Sequence, residues 1–461
     1  MNPSSMSLDS TERHVLFVVR NFPPVRNSGT IRVESFVRHL SRHGYRPTVL
    51  CNTTPPELAS SPDGVLPPDQ RIELSWREPQ ALIRRNLFRF PLGYGISRQV
   101  NRNSLADRAI RLCHQRNYRP DIVLGSCPPG EALFVGQAIA EHYQCPFVAD
   151  YRDPWTYISR PNYPHWIDFL LERRVEQQLL RKTTAVLSTT EAGRSLLEQE
   201  FQVPSKKIQL LRNGYENSEF ENPECFEPIA QEPNHFHIVY TGEIASSQSA
   251  STASRLIQAL GFSYDPLQTH WQARSPRWFL QGLSDFLKRS PQYASEIRVW
   301  FIGDQKVSQD PAVQGFPYPE CIRVFPRVSQ KMAVGATLQA NLLLFLQLET
   351  FYRGSPLCMF IAGKLYSYLA TGKRILAGVQ KSENTDLIDR FQAGTWVSPT
   401  SASEFATAIA AEFQRWKSGT APPDQPRRIP EFERSYQAGQ LAQLFHSLLA
   451  SRAPGDSALV S

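Results

Sequence analysis

No apolar run in the 461-residue chain approaches the roughly 18 residues that a membrane-spanning helix requires. The longest notable run, Leu342 to Leu346, reads as a buried strand. Upstream of Arg13 no basic stretch leads into an apolar one, so no secretory signal is visible and a cytoplasmic protein is expected. The seven cysteines, Cys51, Cys113, Cys127, Cys145, Cys225, Cys321 and Cys358, are odd in number and widely scattered. No close pair exists among them, which excludes a dense disulfide framework and reads as buried structural thiols. HExxH, GxSxG, a Walker loop and an Asp-x-Asp pair are all missing, so the common zinc-peptidase, hydrolase and P-loop chemistries have no anchor. The histidines are dispersed. His235 and His237 share one strand face but lack a third ligand nearby, and they read as ordinary strand residues; no metal site is expected.

The composition that remains, 41% hydrophobic and 20% charged, is that of a globular protein, and the length suits two domains of about 200 residues each. The formal charge of +7 is unevenly spread. Between positions 84 and 119, from Arg84 to Arg119, nine arginines stand against the single Asp107, a local net of +8. A basic surface of that size attracts phosphates, whether of an anionic membrane, lipid-linked sugars or nucleic acid. The alternative is a solvated, arginine-rich helix pair.

The hydrophobic periods alternate between strand and helix. Residues 15–19 form an apolar run that ends at a loop with Pro23, Pro24 and Gly29; Val33, Phe36, Val37 and Leu40 then recur at helical spacing, and Gly44 stops the helix. Residues 47–51 complete a strand, helix, strand unit. The pattern returns with strands at 121–124, 146–149, 184–187 and 207–211, which implies a parallel sheet with helices on both faces. After an acidic, proline-bearing stretch, a second series follows with strands at 237–240, 297–302, 341–346 and 374–377 and helices near 276–288, 329–339 and 364–371. The domain boundaries read from this are a disordered 1–12, a first Rossmann-like domain at 13–217, a linker at 218–234 and a second Rossmann-like domain at 235–425. A C-terminal helix at 426–450 that packs back on the first domain and a disordered tail at 451–461 complete the chain. Residues 246–273, rich in Ser and Gln, exceed the usual connection of about 2 to 6 residues and read as an insertion at a strand's carboxyl end, where a lid or an acceptor loop could sit.

Chemistry is sparse, and it gathers where strands end. Gly29 and Thr30 stand at the start of the first helix, where free backbone N–H groups favour an anion, and Gly242 holds the equivalent place in the second series. Asp150 and Asp153 follow an apolar strand, and Asp153 is the candidate to accept a proton from an acceptor hydroxyl. Its alternative role is to cap the turn before Pro154 and Trp155.

Several segments resemble family 4 glycosyltransferases. VLFVVRNFPPVRNSGTIRVESFVRHLSRHGY is similar to that family's first strand, glycine loop and helix. PDIVLGSCPPGEALFVG, followed by PFVADYRDPW with its Arg152 to Trp155 tetrapeptide, is similar to the middle of its acceptor domain. KIQLLRNGYE and HIVYTGEI resemble the end of that domain and the first strand of the donor domain, and AGKLYSYLATGKRILA is similar to the donor-binding helix entry. The likeness extends over about residues 13 to 420. It implies an α/β protein of GT-B architecture, with two facing Rossmann-like, doubly wound parallel-sheet domains and a C-terminal crossover helix. It also implies a retaining, metal-independent glycosyltransferase that takes a nucleotide-sugar donor in the second domain. A glycan, a lipid-linked sugar or a small molecule is the implied acceptor in the first, and nucleic acid is not expected. No cofactor is required beyond the donor itself, whose leaving diphosphate needs Arg or Lys where no metal serves.

Lys364 matches the family's lysine at the helix entry, and Arg274 resembles a basic donor-phosphate residue. The chain departs from the family at Ser367, where a ribose-binding glutamate is usual, and at Met359, where another acidic residue is often found. A serine hydroxyl can still bond a ribose, at about half the strength of a charge-assisted bond. Two other readings remain open, a nucleotide-sugar epimerase on the same fold and a non-catalytic scaffold. The arginine-rich segment, with Arg84, Arg85 and Arg89 among Leu82, Ile83, Leu87, Phe88 and Phe90, implies a peripheral place at the inner face of an anionic membrane or contact with a lipid-linked acceptor.

Overall fold

The computed structural model describes residues 12–25, 27–54, 66–76, 93–157, 163–247, 264–419 and 426–451. Arg84, Arg85, Arg89 and their apolar neighbours lie outside the described residues, as do 248–263 of the insertion and nearly all of the two termini expected to be disordered. Among the described residues the chain forms two compact units, one running to Arg212 and resuming at Arg434, the other spanning Asn213–Glu433.

The first unit starts with β1 (Arg13–Val18), whose Val15, Leu16, Phe17 and Val18 are all buried. A strand apolar on both faces needs cover on both sides, the situation of a parallel sheet between helices. Helix α1 (Ser28–Leu40) begins at an Asn27 cap, and the chain turns at Gly44, with φ of +80°, into β2 (Tyr45–Asn52). There follow β3 (Arg71–Leu74), α2 (Gly93–Gln115), β4 (Ile122–Cys127), α3 (Gly130–Tyr143), β5 (Phe147–Tyr151), α4 (Trp166–Lys182), β6 (Ala185–Ser188), α5 (Glu191–Phe201) and β7 (Ile208–Leu210). The sheet order is β3-β2-β1-β4-β5-β6-β7 and every pairing is parallel. Strand order reverses between β1 and β4, and ligands of open α/β sheets bind at the carboxyl ends beside such a reversal. The C-terminal helix Arg434–Ala450 belongs to this unit: Ala438, Leu441, Ala442 and Phe445 share a core with Val33, Phe36 and Leu40 of α1.

The second unit repeats the plan. Its elements are β8 (Phe236–Thr241), β9 (Gln268–His270), α6 (Arg277–Arg289), β10 (Ile297–Ile302), β11 (Ile322–Phe325), α7 (Gln330–Gln339) and β12 (Leu342–Leu346). After them come β13 (Glu349–Tyr352), β14 (Ser355–Pro356), α8 (Gly363–Thr371), β15 (Ile375–Gly378), α9 (Glu383–Arg390), β16 (Gly394–Val397) and α10 (Ala402–Lys417). The main sheet runs β11-β10-β8-β12-β15-β16, again all parallel, with its reversal between β8 and β12. Phe279, Leu283 and Phe286 of α6 pack with Phe405, Ile409 and Phe413 of α10 over one face of this sheet. These two parallel sheets with their helices make the α/β, doubly wound architecture of the GT-B fold.

Two features depart from the sequence reading. Residues 218–234 do not lack core contacts: Phe226 and Ile229 are buried beside Trp300 in the second unit, so this stretch joins its apolar core. The described end of the 246–273 insertion, β9, pairs antiparallel with β13, which pairs with β14, making a small accessory sheet beyond β12.

Candidate functional site

At the reversal point of the second sheet, the chain leaves β8 through Gly242, whose φ of +92° suits glycine and whose N–H donates to the Ile302 carbonyl at 2.7 Å. A side chain there would bring its Cβ to 3.3 Å from Lys364 Nζ. Lys364 is the second residue of α8, and the Ala362 cap provides no side-chain bond to the helix start. Its ammonium donates to the Thr241 carbonyl at 2.5 Å and lies 3.9 Å from the centre of the Tyr240 ring. The buried Tyr240 donates its hydroxyl to the Glu243 carbonyl at 2.7 Å, and Arg274 Nη2 donates to the same oxygen at 3.0 Å. Gly242, Arg274 and Lys364, distant in sequence, therefore meet at one strand end. Burial pushes the Lys364 ammonium below its usual pKa, with the Arg274 charge adding to that and Tyr240 opposing it. A poorly solvated ammonium next to a guanidinium, both resting on neutral carbonyls, gains by taking up an anion.

Ser367 lies half-buried one turn along α8 from Lys364, and among the described residues its hydroxyl has no hydrogen-bond partner. Met359 is buried ahead of that helix. Neither position of the family's acidic pair offers a carboxylate. Tyr240 was not singled out in the sequence, although its place two residues before Gly242 marks it.

The corresponding edge of the first unit is arranged differently. Gly29 and Thr30 lie inside the first turn of α1, and both their N–H groups donate to Asn27 Oδ1 at 3.0 Å, while Thr30 Oγ1 accepts from the Asn27 N–H. The N–H groups expected to await an anion are thus occupied by the cap. Gly29 serves a close approach instead: a Cβ there would fall 1.8 Å from Arg152 Nη1. Arg152 is held by Ser126 Oγ at 3.1 Å and the Pro128 carbonyl at 2.5 Å. Asp150 is fully buried and takes Arg32 Nε at 3.2 Å, Arg32 Nη2 at 2.9 Å and Ser126 Oγ at 2.8 Å, an internal ion pair in which Arg32 also donates to the carbonyls of Leu211 and Arg212.

Asp153 differs from Asp150. It is half-buried past the end of β5, and among the described residues it has no hydrogen-bond or ion-pair partner. Burial, helped by Asp150 and opposed by Arg152, raises its carboxyl above the usual range, which makes it a better proton acceptor. The segment behind it is fixed by Glu176 of α4, whose Oε2 accepts from the Thr156 N–H at 3.1 Å and from Thr156 Oγ1 at 2.5 Å. Arg152, Arg32 and Glu176 were not assigned site roles from the sequence.

The described part of the arginine-rich segment corrects the charge count. Arg98 and Arg102 of α2 turn inward to Glu131 and Glu172, and Arg102 is fully buried with its guanidinium 4.7 Å from the Trp155 ring centre. Arg108 and Arg116 donate to the carbonyls of Ser75 and Arg71. A local net charge read along the sequence missed the glutamates that the fold brings to it. Among the described residues no His, Cys, Asp and Glu cluster could hold a metal ion, and His237 is engaged on both ring nitrogens, by Trp300 Nε1 at 2.9 Å and the Glu232 carbonyl at 2.8 Å. No described helix is long and apolar enough to cross a membrane.

Two doubly wound parallel sheets, each with a glycine near its reversal point, are the arrangement of the GT-B fold. Residues 29–214 match the family model of the glycosyl transferase 4-like domain. Among solved structures, a glycosyltransferase from Rickettsia africae superposes with a TM-score of 0.58 at 12% identity, covering 95% of this chain and 99% of that one. Sucrose-phosphate synthase from Thermosynechococcus elongatus gives 0.55 at 12%, over 95% and 100% of the two chains. HepE of Anabaena in complex with UDP-glucose gives 0.55 at 11%, over 95% and 97%. At such identities the likeness is one of fold. No curated protein matches the chain.

Proposed function

We propose that the protein transfers a sugar from a nucleotide-sugar donor, held by the second unit, to an acceptor hydroxyl served by the first. The observation that carries this is the meeting of Lys364 and Arg274 around Gly242 at the reversal point of the second sheet. Two cations there neutralise the departing diphosphate, so the reaction needs no metal. The HepE structure holds UDP-glucose on the same fold, which makes a uridine diphosphate the first donor to try. Asp153 is the acceptor-side base of this scheme, and retention of the anomeric configuration follows the family's habit. The acceptor is a glycan or a lipid-linked sugar. Docking to an anionic membrane then rests on Arg84, Arg85 and Arg89, because Arg98 and Arg102 are turned inward.

Thermal stabilisation by UDP, GDP, ADP and dTDP tests the donor site. A ligand at 100 times its dissociation constant stabilises by about 2.7 kcal/mol, a readily measured rise in Tm. One nucleoside diphosphate is expected to produce that rise, and Lys364→Ala is expected to weaken its binding by about 1.5 to 3 kcal/mol, the range for a bond to a charged group. No shift with any of the four, or an unchanged affinity in the folded Lys364→Ala variant, would remove this site from the proposal.

A further inference from the structure

We propose that Tyr240 is a positioning residue: its buried ring and hydroxyl set Lys364 and Arg274 on either side of Gly242 so that the two cations converge on a diphosphate. The inference rests on the donor-site reading above and adds a residue to it.

The geometry concentrates two tasks in one side chain. The ring face lies 3.9 Å from Lys364 Nζ, and a cation over an aromatic face is held by the ring quadrupole. The hydroxyl donates to the Glu243 carbonyl, the oxygen that also anchors Arg274, at 2.7 Å and 3.0 Å respectively. Lys364 itself rests on the Thr241 carbonyl, so the two cations occupy the two carbonyls that flank Gly242. Tyr240 cannot follow a ligand, since it is buried among Phe236, Ile238 and Phe301 in the strand layer. The long Lys and Arg side chains can swing from carbonyl to phosphate while their bases stay fixed. Burial alone would raise the phenol, yet the charges of Lys364 and Arg274 bring it below its ordinary value, which agrees with a hydroxyl that feels both cations.

Tyr240→Phe separates the tasks, because it keeps the ring beneath Lys364 and removes the hydroxyl that fixes the Glu243 carbonyl. The effect should therefore travel through Arg274. Isothermal titration of the full chain with inorganic pyrophosphate, UDP and uridine reads it, pyrophosphate being independent of the base. Tyr240→Phe is expected to weaken pyrophosphate and UDP together by about threefold to tenfold, the range of one lost hydrogen bond, and to leave uridine unchanged. Arg274→Gln should weaken the same two ligands more, and the double variant should be no worse than Arg274→Gln alone. Equal losses for uridine and pyrophosphate would show a general disturbance of the pocket and overturn the proposal. So would additive losses in the double variant, or unchanged pyrophosphate binding in Tyr240→Phe. A wild-type chain that binds none of the three ligands would instead defeat the donor-site reading and the inference together.

Discussion

The carboxyl edges of the two sheets share a topology and differ in what answers their charges. In the first unit Arg32 meets Asp150, Arg152 meets Ser126 and the Pro128 carbonyl, and Asn27 closes the start of α1, so nearly every strong group has an internal partner. In the second unit Lys364 and Arg274 donate to the neutral carbonyls of Thr241 and Glu243, among the described residues neither has a carboxylate within ion-pair distance, and the start of α8 has no side-chain cap. A charge matched by an opposite charge in a buried site is scaffold, since moving it exposes its partner. A charge resting on a neutral carbonyl loses little by exchanging it for an anion. Within the first edge, and among the described residues, Asp153 has no hydrogen-bond or ion-pair partner, which is what makes it the acceptor-side base of the proposed reaction.

The comparison can be broken most severely at Arg32. Removing one member of a buried ion pair leaves the other unpaired at a cost of about 3–5 kcal/mol. Arg32→Ala should therefore lower stability in urea by that amount, while the folded fraction keeps its nucleoside diphosphate affinity. A loss under 1 kcal/mol would show that Asp150 is solvated in solution and that the first edge is not the closed network described.

Glu176 offers a test through pH. Burial, opposed by its bonds to Thr156 and Tyr151, raises its carboxyl to about 7, whereas an exposed glutamate in the unfolded chain titrates near about 4.3. The folded protein thus holds this proton more tightly. Its contribution is complete below the unfolded value and is lost as pH rises through the folded one, a decline of roughly 4 kcal/mol at 1.36 kcal/mol per unit. Glu176→Gln keeps an acceptor for Thr156 and has no proton to lose, so its stability should diverge upward from the wild type across that window. Parallel stability curves from pH 4.5 to 7.5 would mean that Glu176 is not buried as an acid.

The fold was legible where hydrophobic spacing is strong. The central strands β1, β2, β4, β8, β10 and β12 read directly because burial on both faces makes them continuous apolar runs. The edge strands β3, β11 and β16 escaped because half-exposed strands carry mixed residues, as in Arg71–Leu74 and Ile322–Phe325. Helices α4 and α10 were missed although their buried faces include Phe169, Leu179, Phe405 and Ile409, because their polar faces dominate composition. The site was legible in part. Gly242 and Lys364 are visible as a strand-end glycine and a helix-entry lysine, and Arg274 as a base near a proline. That Gly29 is reserved for Arg152 depends on side chains brought together over more than a hundred residues, which no local spacing encodes; the Asn27 cap, two and three residues from Gly29 and Thr30, is a local signal that the sequence reading passed over. The inward turn of Arg98 and Arg102 was hidden for the same reason.

The smallest expected effect sharpens the comparison at Ser367, where the second edge lacks the carboxylate that family 4 enzymes place for the ribose. Its hydroxyl has no partner among the described residues and it is half-buried on α8, so a longer side chain has an outlet. Ser367→Glu would supply an acceptor for both ribose hydroxyls, and a charge-assisted bond exceeds a neutral one by about 1 kcal/mol. The new carboxylate would also sit three residues from Lys364 on the same helix, where such pairs attract by about 0.2–0.5 kcal/mol, and so would draw that ammonium slightly from a diphosphate. The two effects act on different parts of the ligand and can be measured apart. Uridine should bind about fivefold tighter to the variant, UDP by somewhat less, and inorganic pyrophosphate slightly weaker than to the wild type. A folded Ser367→Glu protein that loses uridine would show that the ribose does not lie against this turn of α8 and that the pocket accommodates a smaller group there.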